Sequence, residues 1–133
     1  MTTYYVFCYG TLRKNQANHH VLSGAICISE YCWVKGTLFD TKRGYPVLHK
    51  IDKLDAVYGE LYQVDKAGLH LLDELEGYTS CEANDNLYER MIQTVFTKQG
   101  ELDAFVYIEG KNQSMCEMYI KSGDWNTYCS QEQ

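Results

Sequence analysis

Tyrosine against proline is the ratio that most limits how this chain can fold. Twelve tyrosines stand against a single proline in 133 residues. The tyrosines fall with valine in short runs separated by turn residues. Aromatic and β-branched side chains fit a pleated, half-buried surface, so the chain reads as mainly β. Tyr4 to Cys8 is a continuous apolar run that suits a strand buried on both faces, and it stops at Gly10. Strand pieces are expected over Ile26 to Val34, Gly36 to Asp40 and Ala56 to Val64. A turn is expected at Thr41-Lys42-Arg43-Gly44, just before Tyr45-Pro46. Leu87 to Thr97 and Leu102 to Ile108 form a predicted hairpin about Lys98-Gln99-Gly100-Glu101. Asn15 to Leu22 reads as loop or short helix, and Ser114 to Tyr128 gives no clear pattern.

One helix interrupts the strands. Asp65 is a good N-cap, and Lys66 to Gly77 then reads as helix ended by glycine. About six strands with one inserted helix make an α+β fold whose sheet can close into a small barrel. At 133 residues the chain is one domain by length, expected over residues 1–128, with a polar tail from 129 to 133.

Charge and composition exclude several roles. Twelve Lys+Arg against 18 Asp+Glu leave a formal charge of −6, which argues against a nucleic-acid partner and against an anionic membrane surface. No apolar run approaches the roughly 20 residues of a membrane span. The N-terminus enters strand-like sequence with no basic region before an apolar stretch, so no secretory signal is expected and a cytoplasmic protein is the default. The six cysteines, Cys8, Cys27, Cys32, Cys81, Cys116 and Cys129, have no two-residue pair spacing. They are expected to be free and mostly buried. Of the histidines, His19 and His20 are adjacent, and His49 and His70 lack a partner at ligand spacing. No metal is expected.

Three places could carry chemistry. Tyr9-Gly10-Thr11-Leu12 follows the first strand, and successive amide N–H groups in such a turn make a small anion-binding concavity. The plain alternative is a turn with Thr11 as a local cap. The second place is the acidic end of the helix. At about 100° per residue, an apolar stripe of Leu69, Leu71, Leu72 and Leu75 puts Glu76 roughly 70° from its centre and Asp73 and Glu74 about 130° away. Glu76 is then the carboxylate at the edge of the buried face, where desolvation and the helix dipole both raise its pKa toward that of a general base. The plain alternative is a surface glutamate at a frayed helix end. The third place is Tyr88-Glu89-Arg90. Tyr88 and Arg90 share a strand face, and Arg90 could orient a carboxylate of a substrate or of the protein; a solvated strand face is the alternative. Tyr107 on the partner strand is either a cavity wall or core. Tyr88, Arg90 and Tyr107 are the further substrate-side candidates.

Taken in order, Tyr9-Gly10-Thr11-Leu12-Arg13, Asn18-His19, Gly36-Thr37-Leu38-Phe39-Asp40, Gly44-Tyr45-Pro46, Val57-Tyr58-Gly59-Glu60-Leu61-Tyr62, Leu72-Asp73-Glu74-Leu75-Glu76-Gly77, Tyr88-Glu89-Arg90, Ala104-Phe105-Val106-Tyr107 and Ser122-Gly123-Asp124-Trp125 resemble the γ-glutamylcyclotransferase-like family. The closing Gly-Asp-Trp is similar to small bacterial-type members, related to the γ-glutamylamine cyclotransferases. The resemblance implies a small mixed β-barrel flanked by short helices, with a pocket at one end. It implies that Tyr9, Gly10, Thr11 and Leu12 hold a substrate carboxylate through backbone N–H groups and that Glu76 is the catalytic base. The implied reaction is an intramolecular cyclisation of a γ-glutamyl compound to 5-oxoproline and a free amine or amino acid. It requires no metal or organic cofactor, and its partner is the small-molecule substrate. A monomer is the expectation. Two rivals remain on sequence grounds: a non-catalytic small-ligand binder on the same scaffold, and a thiol redox sensor using an exposed low-pKa cysteine. The leaving-group side would be lined from around Asp40 to Lys53 and Ser114 to Tyr128.

Overall fold

The computed structural model describes residues 2–49 and 55–131. The far end of the expected leaving-group segment, residues 50–53, and the last two tail residues, 132 and 133, lie outside them. Eight strands and two α-helices are present among the described residues: β1 Thr3–Cys8, β2 Ile26–Lys35, β3 Thr37–Asp40, β4 Pro46–His49, β5 Ala56–Asp65, α1 Lys66–Leu75, β6 Tyr88–Thr97, β7 Gly100–Glu109, β8 Met118–Tyr119 and α2 Trp125–Gln131. Five strands close a barrel in the order β1-β5-β2-β6-β7, and β4-β3-β8 form a second small sheet. Closure comes from β1 meeting β7 in parallel at Val6↔Phe105. The other barrel pairs are antiparallel, so the barrel is mixed.

The two-residue side-chain period of the strands explains the core. Phe7 on β1 and Tyr9 just after it enter one buried cluster with Val34, Leu61 and Val106. Val6 and Cys8 enter a second cluster with Tyr62, Leu69, Leu72, Tyr88 and Tyr107. β1 is thus buried on both faces from Val6 on, while Tyr5 is exposed. Gly59 lets β5 cross close to β1, since a Cβ there would lie 2.2 Å from the Cys8 carbonyl oxygen.

Several boundaries differ from the expected ones. The β6–β7 turn is Lys98-Gln99 alone, because Thr97 already pairs with Gly100. Residues 19–22 form a short 3-10 helix. The segment without a clear pattern yields β8 and α2, and α2 carries residues 129–131 of the expected tail. Both ends of α1 obey local rules. Asp65 Oδ1 accepts the Gly68 N–H at 2.8 Å. At the other end, Tyr78 N–H donates to Asp73 O and Gly77 N–H to Glu74 O, with Gly77 at φ +66°; this is a Schellman stop. A Cβ at Gly77 would also sit 2.9 Å from Leu87 Cβ.

The six cysteines are free, but only Cys8 and Cys32 are buried. Cys27 and Cys81 are exposed, and Cys116 and Cys129 are intermediate. "Mostly buried" is therefore corrected. Cys27 belongs to the half of β2 whose side chains are largely exposed, and Cys81 to the loop between α1 and β6. No described helix is long and apolar enough to cross a membrane.

Candidate active site

A cavity of about 220 Å³ brings together the loop after β1, the end of α1 and the start of β6. It is smaller than the ~300–1,000 Å³ of sites for drug-sized ligands, a size suited to an amino-acid-like group. Tyr9, Gly10, Thr11, Leu12, Glu76, Tyr88 and Tyr107 all line it, with Asn18, Tyr45, Pro46, Leu75 and Leu87 among the other walls. Arg90 is the one sequence-derived site residue that does not line it.

The loop is held tightly. Arg13 N–H donates to Gly10 O, and Asn18 N–H to Thr11 O, while Asn18 Nδ2 donates to Thr11 Oγ1 at 3.0 Å. A Cβ on Gly10 would lie 2.7 Å from Pro46 Cγ, so glycine is needed for β4 to pack this close. Among the described residues, the N–H groups of Gly10, Thr11 and Leu12 find no protein acceptor. Unsatisfied amides are costly when buried, and three in one loop favour an anionic ligand.

Behind the loop is a buried ionic network that sequence reasoning missed. Arg13 Nε donates to Glu60 Oε2 at 2.9 Å and Nη1 to Asp124 Oδ1 at 2.8 Å. Glu60 Oε1 also accepts from Lys14 N–H at 2.9 Å and from the Tyr62 hydroxyl at 2.8 Å. Arg13 and Glu60 are both buried. The only local signal was a basic pair directly after a glycine turn, and nothing in the sequence pairs it with residues 60 and 124. Asn18 was likewise visible only as part of a motif.

Glu76 is the C-cap of α1. Its carbonyl accepts the Tyr88 N–H at 3.2 Å, so the helix end and β6 are joined at the site. The helix buries Leu69 and Leu72, whereas Leu71 and Leu75 are 53% and 40% exposed. Counting those two in the stripe rotated its centre. About the Leu69–Leu72 axis, Glu76 lies within about 10° of the centre and Asp73 about 70° away. Glu76 therefore faces inward more directly than expected and is partly accessible through the cavity it lines. Among the described residues its carboxylate has no hydrogen-bond or ion-pair partner. Burial alone pushes its pKa up to about 7.

Asp73 was expected to point mostly to water, and this is corrected. Its Oδ2 accepts from Arg90 Nη1 at 2.6 Å and its Oδ1 from the Tyr107 hydroxyl at 2.6 Å. Arg90 is a direct cross-strand neighbour of Tyr107, and its guanidinium lies over the rings of Phe105 at 4.5 Å and Tyr78 at 4.9 Å. The carboxylate that Arg90 orients is thus the protein's own, one helical turn before Glu76. Glu74 does point outward, with a side chain 66% exposed.

The hydroxyls of Tyr9, Tyr88 and Tyr107 are committed. Tyr9 donates to Tyr107 O at 2.6 Å and accepts from Leu48 N–H. Tyr88 donates to Pro46 O at 2.7 Å, and Tyr107 to Asp73. Burial raises the pKa of all three, most directly by removing water from the phenolate form. They are rigid neutral walls, which leaves the loop amides and the Tyr45 hydroxyl, among the described residues, as uncommitted donors at the cavity. Arranged this way, the cavity can bind an anion at one wall and exchange protons with a nitrogen at Glu76.

Known proteins resemble this chain in sequence and in fold. YkqA of Bacillus subtilis is 36% identical over 126 residues, covering 92% of this chain. The chain spans only 41% of that relative's length. The γ-L-glutamyl-butirosin B γ-glutamyl cyclotransferase of Niallia circulans is 32% identical over 123 residues, covering 92% of this chain and 76% of the relative. In structure, YkqA superposes with a TM-score of 0.77 at 30% identity over 99% of this chain and 44% of its own. A mouse AIG2-like protein superposes with a TM-score of 0.75 at 22% identity, over 94% of this chain and 89% of its own, and shares the fold. The family model described as "Gamma-glutamyl cyclotransferase, AIG2-like" matches residues 6–127, and the chain belongs to that family.

Proposed function

We propose that the chain is an intramolecular cyclotransferase that releases 5-oxoproline and a free amine or amino acid from a γ-glutamyl compound. The observation that carries this reading is a carboxylate without a partner, Glu76, lining the same small cavity as three amides without acceptors. A γ-glutamyl group has a complementary charge pattern: an α-carboxylate for the amides and an α-ammonium for Glu76.

Holding both groups folds the glutamyl chain so that its nitrogen approaches the γ-carbonyl. An intramolecular attack held in that geometry carries a large entropic advantage. Glu76 takes a proton from the ammonium, and the freed amine forms the new C–N bond of a five-membered ring. The tetrahedral oxyanion is stabilised by backbone N–H donors. Glu76 then passes the proton to the departing nitrogen, and the original C–N bond breaks. Two protons move in all from the attacking to the leaving nitrogen, and one carboxylate can carry them in turn.

The test is direct detection of 5-oxoproline from a panel of γ-glutamyl amino acids and amines, with Glu76→Gln beside the wild type. No release from any of them would favour the non-catalytic binder. The pH profile is a second check. The base works deprotonated, and its pKa is raised to about 7, so kcat/KM is expected to fall about ten-fold per unit as pH drops below that value. A flat profile from pH 5 to 8 would remove Glu76 from the proton transfer.

Arg90 enters this scheme as a positioning residue acting through Asp73. Arg90→Gln is expected to lower kcat by roughly 10–100-fold, because misplacing the base by about an ångström has that effect, while KM changes little. A KM effect with unchanged kcat would instead put Arg90 on the substrate.

A further inference from the structure

Outside the cavity, the fold assembles three donors that lie far apart in sequence. His49 ends β4, Glu109 ends β7, and Cys116 lies on the segment leading to β8. One ligand atom from each lies within 4.8 Å of the other two, and all three residues are partly buried. Glu109 is oriented by the backbone: its Oε2 accepts the Met115 N–H at 2.7 Å. Its Oε1 stands 3.6 Å from His49 Nε2. That is too long for a hydrogen bond between them. It is the spacing that a nitrogen and an oxygen ligand keep across a tetrahedral zinc ion, where bonds of about 2.0–2.2 Å set neighbouring donors roughly 3.3–3.6 Å apart.

The donor set also selects the metal. Calcium and magnesium take oxygen ligands, whereas thiolate with imidazole and carboxylate suits a borderline first-row ion. The amide on Glu109 does what outer partners do at metal sites, fixing a ligating carboxylate from its far oxygen.

We infer that His49, Glu109 and Cys116 form a Zn²⁺ site, with the fourth position open to the surface depression that Ser114 and Glu117 also line. On binding, the Cys116 thiol proton is released to solvent and the thiolate ligates. None of the three residues lines the Glu76 cavity, which takes Tyr45 and Pro46 but no residue of the 114–128 segment expected on the leaving-group side, so the site is separate from the proposed chemistry. Its consequence is structural: the ion ties β4 and the 110–117 segment to β7. No short motif could have shown this, because residues 49, 109 and 116 meet only in the folded chain.

The experiment is Zn²⁺ titration of the metal-free full chain against a chromophoric chelator, with Co²⁺ as spectroscopic probe. One ion per chain is expected. Cys116→Ser and His49→Gln should each weaken binding by more than about 100-fold, beyond the effect of losing an outer partner. Cys27→Ser, Cys81→Ser and Glu76→Gln should bind as the wild type does. The thiolate-to-cobalt band should vanish in Cys116→Ser alone among the cysteine variants. Absence of stoichiometric binding, or full binding by Cys116→Ser, overturns the site. If either ligand variant fails to fold, alkylation of the wild type read by mass spectrometry decides: Zn²⁺ should protect Cys116, and equal labelling with and without the metal overturns the proposal.

Discussion

Glu76→Gln is expected to lower turnover by about 10²–10⁴-fold, the range over which a positioned general acid–base contributes, and at the same time to stabilise the fold at alkaline pH. The pairing of those two effects is the informative part. The folded-state pKa of Glu76 is raised, to about 7 from about 4.5, so the protein disfavours its charged form. Below about pH 4.5 the group is protonated in both the folded and unfolded chains and has no cost. As pH rises from 4.5 through 7, the unfolded chain ionises first and stability is lost. Above 7 the loss is complete, at up to about 3 kcal/mol. Glutamine never ionises, so the variant should match the wild type in urea unfolding at pH 4 and exceed it at pH 8. A variant that is inactive and also less stable at pH 8 would indicate a structural role for the side chain instead. Sites in which an enzyme holds a disfavoured charge trade stability for activity in this way.

Removing Arg13 should have the largest effect on stability of any single side chain around the loop. Arg13→Met leaves Glu60 buried without its cation, a change that costs about 3–5 kcal/mol. For a domain of this size that is a melting temperature lower by roughly 10–20 °C. Glu60→Met alone should be similarly harmful, because it removes the buried partner of Arg13, leaving only Asp124, and also frees Lys14 N–H and the Tyr62 hydroxyl. The double variant should recover part of the loss, since two apolar side chains of similar volume leave no buried charge unpaired between them. Strict additivity of the two single losses would mean that the pair is not coupled. Where the double variant folds, its KM for a γ-glutamyl substrate should remain high, because the Gly10–Leu12 amides are no longer held in place by the residues that follow them.

Legibility differed sharply between local and long-range features. The helix was readable almost to the residue, because its start and stop are local chemistry: Asp65 bonds an amide three residues on, and Gly77 supplies the positive φ of the stop. The loop after β1 was readable for the same reason. Which helical face is buried was less readable. Leucine does not report burial by itself, and Leu71 and Leu75 are exposed on an otherwise well-patterned helix. Strand count was also under-read: Gly36 to Asp40 was legible as β3, but β4 and β8 are four residues or fewer and too short to show a period.

By itself, the sequence determined the mainly β class, the inserted helix with its caps, the anion-suited glycine turn, and the distinction of Glu76 from its acidic neighbours. Each of these is set by residues within a few positions of one another. The tertiary structure alone decided that the barrel closes through β1 and β7, that Arg13 meets Glu60 and Asp124, that Asp73 is clamped by Arg90 and Tyr107, and that Glu76 shares a cavity with residues 9–12. Those pairings join residues 17 to 111 positions apart. The free energy that selects them comes from burying charges and amides against particular partners, and no local pattern records which partner that is.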